Sequence, residues 1–187
     1  MKDLTWKVET SAVLHADKWL SIRTEKCVNP KGQVIEPYYV IDYPNWTNAL
    51  ALTEDNQVIL VRIYRHGLKK TILEIPGGNM DAEDANPEET IRRELLEETG
   101  YVFNHVEQVH RISPNPANHS NLAYGFLMTG GKKVAEQDLD EDEQLDVVLV
   151  SLEELKRMLR DNEIWQAMHV TTIFYALAAL EDRHSCL

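Results

Sequence analysis

Arg93-Glu94-Leu95-Leu96-Glu97-Glu98-Thr99-Gly100-Tyr101 is the stretch on which the reading of this chain turns. At about 100° per residue, Ile91 and Leu95 share a helix face that can bury itself against a sheet. Glu94 and Glu98, four residues apart, lie together on another face with Glu97 beside them. Arg93 stands four residues before Glu97 and can hold that one acid, which leaves Glu94 and Glu98 converging with no cation in their own helix. The placement is poor for stability. Glu97 and Glu98 fill the last turn, where the helix dipole is negative and a basic residue would be favoured. Like charges at i,i+4 add a few tenths of a kcal/mol to that cost. A divalent cation reverses both penalties, because hard carboxylate oxygens are what Mg²⁺ prefers. A solvated acidic face is the competing reading, since exposed ion-paired helix faces are routine. The exact spacing of Arg, three Glu and Gly, with a turn before and a strand after, weighs against it.

Working outward, Asn86 is a good N-cap, Pro87 suits the first helical position, and Gly100 fits the left-handed position past the end. The helix is therefore expected over 87–99. Upstream, strands are expected at 6–14, 19–28, 34–41, 49–53, 57–64 and 71–75, rich in β-branched and aromatic residues. Asn29-Pro30-Lys31-Gly32 marks a hairpin turn. Downstream, strands are expected at 106–112, 122–129 and 145–150. A capping box at Ser151 and Glu154 opens a helix to about 160, and a last helix is expected over 163–180. The class is α+β, mixed sheets flanked by helices. Residues 1–45 form an N-terminal β segment, and 46–187 form the domain that carries the acidic helix.

Bulk properties exclude several functions. With 187 residues and no apolar run of bilayer length, the chain is one ordinary domain with a small appendage. No secretion signal opens it, so a cytoplasmic location is expected. Cys27 and Cys186 lack companions at ligand spacing and read as unpaired thiols. A net charge of −12 argues against a nucleic-acid surface. The acids crowd into 81–98 and 138–146, which a cation site would explain and a solvated face would not require.

The segment from Gly78 to Tyr101 resembles the Nudix box: Gly, five residues, Glu, seven residues, then Arg-Glu-aliphatic-x-Glu-Glu-x-Gly-aliphatic. Arg93, Glu94, Leu95, Glu97, Glu98, Gly100 and Tyr101 fill the second half, with Tyr in an aliphatic slot. The first half departs from it: Asp84 stands where Glu is expected, and eight residues rather than seven precede Arg93. The resemblance implies hydrolysis of a nucleoside diphosphate linked to another moiety, with Mg²⁺ as cofactor and Mn²⁺ as the alternative. It places metal ligands at Glu94, Glu98 and the Gly77 carbonyl, with Glu97 near the metals and steadied by Arg93.

The chain looks most like the ADP-ribose pyrophosphatase branch, whose N-terminal β segment commonly takes part in a homodimer. That likeness puts a diphosphate-binding role on Arg65, at the end of the strand Gln57 to Arg65; a structural ion pair is the alternative. Pro116, sixteen residues after Gly100, marks the branch and its substrate loop, in which His119 also lies. In similar enzymes the acidic segment before the strand at 146–150 supplies a catalytic carboxylate and a further ligand. Alignment places these on Glu141, as general base, and Glu143; a one-residue slip would substitute Asp140 or Asp142, and an exposed acidic loop is the plain alternative. Trp46 could stack on a base, against core or interface packing. The substrate expected is ADP-ribose, cleaved to AMP and ribose 5-phosphate. GDP-mannose or another nucleotide sugar is the alternative, and a catalytically silent ligand sensor a more distant one.

Overall fold

A computed structural model describes residues 2–81, 83–140 and 143–185. The chain divides into two compact units, Met1–Asn45 with Ser113–Leu122, and Trp46–Ile112 with Ala123–Leu187.

The first unit is an antiparallel sheet of β1 (Lys7–Ala16), β2 (Ser21–Val28) and β3 (Val34–Asp42), in that order. The hairpin between β2 and β3 closes as its sequence indicates: the Asn29 carboxamide oxygen accepts from the backbone of Lys31 and Gln33. Ser113–Leu122 is stitched to β3, with Ile41 N–H donating to the Asn118 carbonyl at 2.8 Å and Ser120 Oγ to Asp42 at 2.5 Å. Arg23 holds the same Asp42, and the Tyr38 hydroxyl donates to the Ala117 carbonyl.

The second unit is a mixed sheet between helices. Its strands are β4 (Trp46–Thr53), β5 (Gln57–Arg65), β6 (Lys70–Glu74), β7 (Tyr101–Ile112), β8 (Ala123–Lys133) and β9 (Leu145–Ser151). They run in the order β6-β5-β4-β8-β7, with β9 paired to β5, and β4 and β8 are parallel. Strand alternation builds a core on each face. Ala49, Ala51, Ile59, Phe126 and Met128 pack under α1 (Pro87–Thr99), against Ile91 and Leu95. Leu50, Leu52, Val58, Leu60 and Leu127 face the other way. They meet Leu155 and Met158 of α2 (Leu152–Arg160) and Ile173 and Ala176 of α3 (Ala167–Ser185). The expected α+β class holds. Among the described residues, no helix is long and apolar enough to cross a membrane.

Several boundaries move, two of them for a reason the contacts show. The last helix starts at Ala167, four residues later than expected, because Ile164 is spent on a bridge to Leu73 and Gln166 caps the helix by accepting from Met168 N–H. The strand after Gly100 starts at once, at Tyr101, because β8 offers partners as far as Lys133.

Candidate metal and diphosphate site

The acidic helix is fixed at both ends as its sequence dictates. The Asn86 side chain accepts from the N–H groups of Glu88 and Glu89, and Gly100 closes the helix with φ 76°. A Cβ at Gly100 would overlap the Ala135 carbonyl. No basic residue stands in the last turn. Its carbonyls are satisfied instead by the segment after β8: Asp138 N–H reaches Glu97 O at 2.9 Å, and Gln137 Nε2 reaches Glu98 O at 2.7 Å.

Glu98 does not lie apart from the apolar face. Spaced i, i+4, i+7 from Ile91 and Leu95, it continues their stripe and is only 7% exposed. What meets it there is backbone. Pro76 and Gly78 give their carbonyls to Ala49 and Thr47 of β4, so this segment runs beside that strand, and Gly77 N–H donates to Glu98 Oε2 at 3.0 Å. Both glycines lie at close approaches, to backbone at Gly77 and to the tip of a side chain at Gly78. Gly77 has φ 155°, and a Cβ there would strike the Thr47 carbonyl; a Cβ on Gly78 would overlap the Glu94 carboxyl. Trp46, expected just before the strand, is its first residue and bridges Asn79 at the end of this glycine segment.

Arg93 is not reserved for Glu97. Its Nη1 stands 3.0 Å from both Glu97 and Glu94, and its Nη2 3.1 Å from both Asp81 and Asp84. Glu94 therefore has a cation in its own helix, contrary to the sequence reading, because adjacent residues let one guanidinium bridge both carboxylates. Asp84 also accepts from Thr90 Oγ1 at 2.9 Å. The shorter acid at the altered position thus anchors Arg93 and the first turns of the helix.

Electrostatics single out two carboxylates. Burial, above all, pushes Glu94 up to about 7, against the opposing pull of Arg93 and with help from Glu97 and Glu143. Burial pushes Glu98 up to about 8, with the Glu94 charge next; the Gly77 N–H and Arg65 oppose it. The available donors are hard oxygens, the set that suits Mg²⁺. Among the described residues, no three His, Cys, Asp or Glu side chains are already closed into a metal cage. A cation would have to draw Glu94 from Arg93 within a fixed backbone frame. The residues fit one: Glu98, Glu94 and the Gly77 backbone converge, and Glu143 lies near enough to raise both glutamates. Glu141 lies outside the described residues.

Arg65 makes an ion pair that the sequence reading offered only as its alternative. Its Nε and Nη2 donate to the two oxygens of Glu74 at 3.1 and 2.6 Å. Glu74 is 1% exposed. His169, also buried, stands 3.7 Å from it with its pKa pushed down to about 4 by burial. Arg65 still feels Glu98 and Glu143, so it faces the same charged region. Glu74, His169 and buried Asn48 beside Gly77 were missed from sequence. Asn48 has no hydrogen-bond partner for either amide atom among the described residues. A glutamate inside the apolar run Ile72–Ile75 was the available signal. Pro116 and His119 belong to the first unit, and Trp46, Arg65 and the glutamates to the second.

Residues 44–170 match the NUDIX domain, and residues 6–41 match the nucleoside diphosphate sugar hydrolase N-terminal domain. The chain belongs to the NUDIX family, and it is a hydrolase of that family. It is 28% identical over 176 residues to the ADP-ribose pyrophosphatase of Bacillus subtilis (strain 168), covering 94% of each chain. It is 28% identical over 161 residues to the GDP-mannose pyrophosphatase of Enterobacter sp. (strain 638), covering 80% of this chain and 83% of that one. A solved structure, described as the crystal structure of ADP compounds hydrolase, shares the fold with a TM-score of 0.85 over 98% of each chain, at 20% identity.

Proposed function

We propose that this protein is a cytoplasmic Mg²⁺-dependent pyrophosphatase that cleaves ADP-ribose to AMP and ribose 5-phosphate. The observation that carries the reading is Glu98, a carboxylate on the core stripe of α1. It is buried beside Glu94 and met by one backbone N–H rather than a cation, an arrangement that costs stability unless something positive binds. Support for ADP-ribose is the likeness to the Bacillus pyrophosphatase along almost the whole length of both chains.

Glu94, Glu98, the Gly77 carbonyl and Glu143 would hold the cation. When bound, Mg²⁺ supplies charge against the diphosphate oxygens and makes water a nucleophile near neutral pH. Glu97, steadied by Arg93 at 3.0 Å, keeps the acidic frame in register. A carboxylate of the acidic segment, Glu141 by preference, takes the proton as water attacks one phosphorus. The Arg65 guanidinium neutralises charge that builds on the phosphoryl oxygens. Trp46 stacks on the base, Pro116 shapes the substrate loop, and the N-terminal β unit makes the homodimer contact.

GDP-mannose is the second reading, favoured by the likeness to the Enterobacter enzyme. The test is a panel in Mg²⁺ of ADP-ribose, GDP-mannose, UDP-glucose, NADH and dinucleoside polyphosphates, with wild type and Glu98→Gln. ADP-ribose turnover that collapses in the variant is the expected result. Preference for another compound with the same collapse would overturn the substrate alone. No turnover of any compound by folded protein would overturn the enzyme reading.

A further inference from the structure

Arg65 and Glu74 are not neighbours across the sheet. In the register of β5 and β6, Arg65 stands opposite Lys70, and Glu74 stands opposite Val61. Four residues of strand, about 13 Å, separate the two positions along the sheet. Both side chains lie on the face that carries Ile59, the face of α1, and they meet by reaching toward each other along it. Lys70, the direct neighbour, does not compete: its Nζ rests over the Trp165 ring, 4.2 Å from the centroid.

The geometry points to Glu74 as a positioning residue that draws the Arg65 guanidinium back along the sheet to the glycine segment and α1, where a diphosphate would lie. The inference rests on the diphosphate role proposed for Arg65. Glu74 occupies one edge of the fork, Nε and one hydrogen of Nη2. Nη1 and the second Nη2 hydrogen stay available on a half-exposed side chain. That leaves two parallel donors for phosphate oxygens, aimed by a carboxylate that is itself buried in the core. His169 sits behind Glu74 but is neutral near pH 7, so it offers no rival charge. An unanchored arginine at the end of β5 could extend into solvent; this one cannot while Glu74 holds it.

Two expectations of opposite sign separate positioning from simple charge. If Glu74 only diluted the positive charge of Arg65, neutralising it would strengthen binding of an anion. If it positions the fork, binding weakens. The experiment is calorimetric titration of ADP in Mg²⁺ into wild type, Glu74→Gln, Glu74→Asp, Arg65→Ala and the Arg65→Ala/Glu74→Gln double variant, with thermal midpoints recorded for each. We expect about tenfold weaker binding for Glu74→Gln. Glu74→Asp, which keeps the charge but shortens the reach, should also weaken binding, and the double variant should bind no more weakly than Arg65→Ala. A purely structural Glu74 would lower the midpoint and leave the affinity of the folded protein unchanged. ADP bound by Glu74→Gln as tightly as by wild type, or more tightly, overturns the inference, as do losses that add in the double variant. Failure of wild type to bind ADP would bring down the diphosphate reading itself, a different result from an indifferent Glu74.

Discussion

Two clusters of acids each gather round one arginine, and they behave in opposite ways. On α2 and the turn after it, Arg157 holds Glu154, Asp161 and Glu163 at 2.9, 2.5 and 2.6 Å. Every member is solvated, and the Arg157 hydrogen bond holds Glu154 below its usual range. On α1 and the loop before it, Arg93 holds Asp81, Asp84, Glu94 and Glu97 with similar geometry. There Glu94 is pushed up, and so is Glu98 behind it. The arginines are alike; burial is the difference. An exposed cluster balances its own charge with water's help and serves to fix a turn. Around Arg93, Asp81 and Glu97 stay exposed, but Glu94 and its neighbour Glu98 are largely buried, and those two are the acids pushed up. Acid content alone therefore says little, and the location of the unbalanced acid says much.

The comparison breaks most visibly if the buried acid proves dispensable. Glu98→Gln should lower ADP-ribose turnover on the order of a hundredfold or more while the protein stays folded, measured as kcat in Mg²⁺. Near-wild-type turnover would reduce the α1 cluster to the same status as the one on α2. Gly78→Ala comes next. Its Cβ would press on the Glu94 carboxyl, so activity should fall roughly tenfold or more, together with about 1–3 kcal/mol of stability. Unchanged kinetics and melting would mean that Glu94 can swing clear.

The pH dependence sharpens the contrast. Glu94 and Glu98 keep protons up to about 7 and about 8 when folded. From the ordinary carboxylate range up to those values, the folded state binds more protons than the unfolded one, so these groups lose stability as pH rises. Without metal, the thermal midpoint should decline from about pH 5 to about pH 8.5, and Glu98→Gln should flatten part of that slope. Added Mg²⁺ should raise the midpoint more at the alkaline end, where no proton needs displacing. An identical slope in the variant would count against the buried charge. The smallest effect belongs to the surface cluster. Arg157→Ala should leave turnover unchanged and move the midpoint by no more than about 3 °C; a clear loss of activity would show the two clusters to be less different than they look.

Much of this was legible in the residues. The acidic helix is bounded where Asn86, Pro87 and Gly100 place it, because caps are local chemistry. The start of α3 was not, because Ile164 looks helical in sequence and only the edge of β6 claims it for a strand bridge. The same division runs through the site. The glutamates were readable by spacing, and Glu98 could have been placed on the core stripe from its distance to Ile91 and Leu95. Arg93 reaching Glu94 depends on a side-chain bend that spacing does not encode. Glu74 hid inside Ile72-Leu73-Glu74-Ile75, and its meeting with Arg65 needs the register of β5 on β6, which only the folded sheet supplies.

Glu98 and Glu94, we propose, form a divalent-cation site. Calorimetric titration of Mg²⁺ into the substrate-free protein near pH 8 tests it most directly, with wild type and Glu98→Gln side by side. We expect saturable binding to wild type that is lost in Glu98→Gln. Equal binding by both proteins would contradict it, and would place the cation somewhere other than on the buried end of α1.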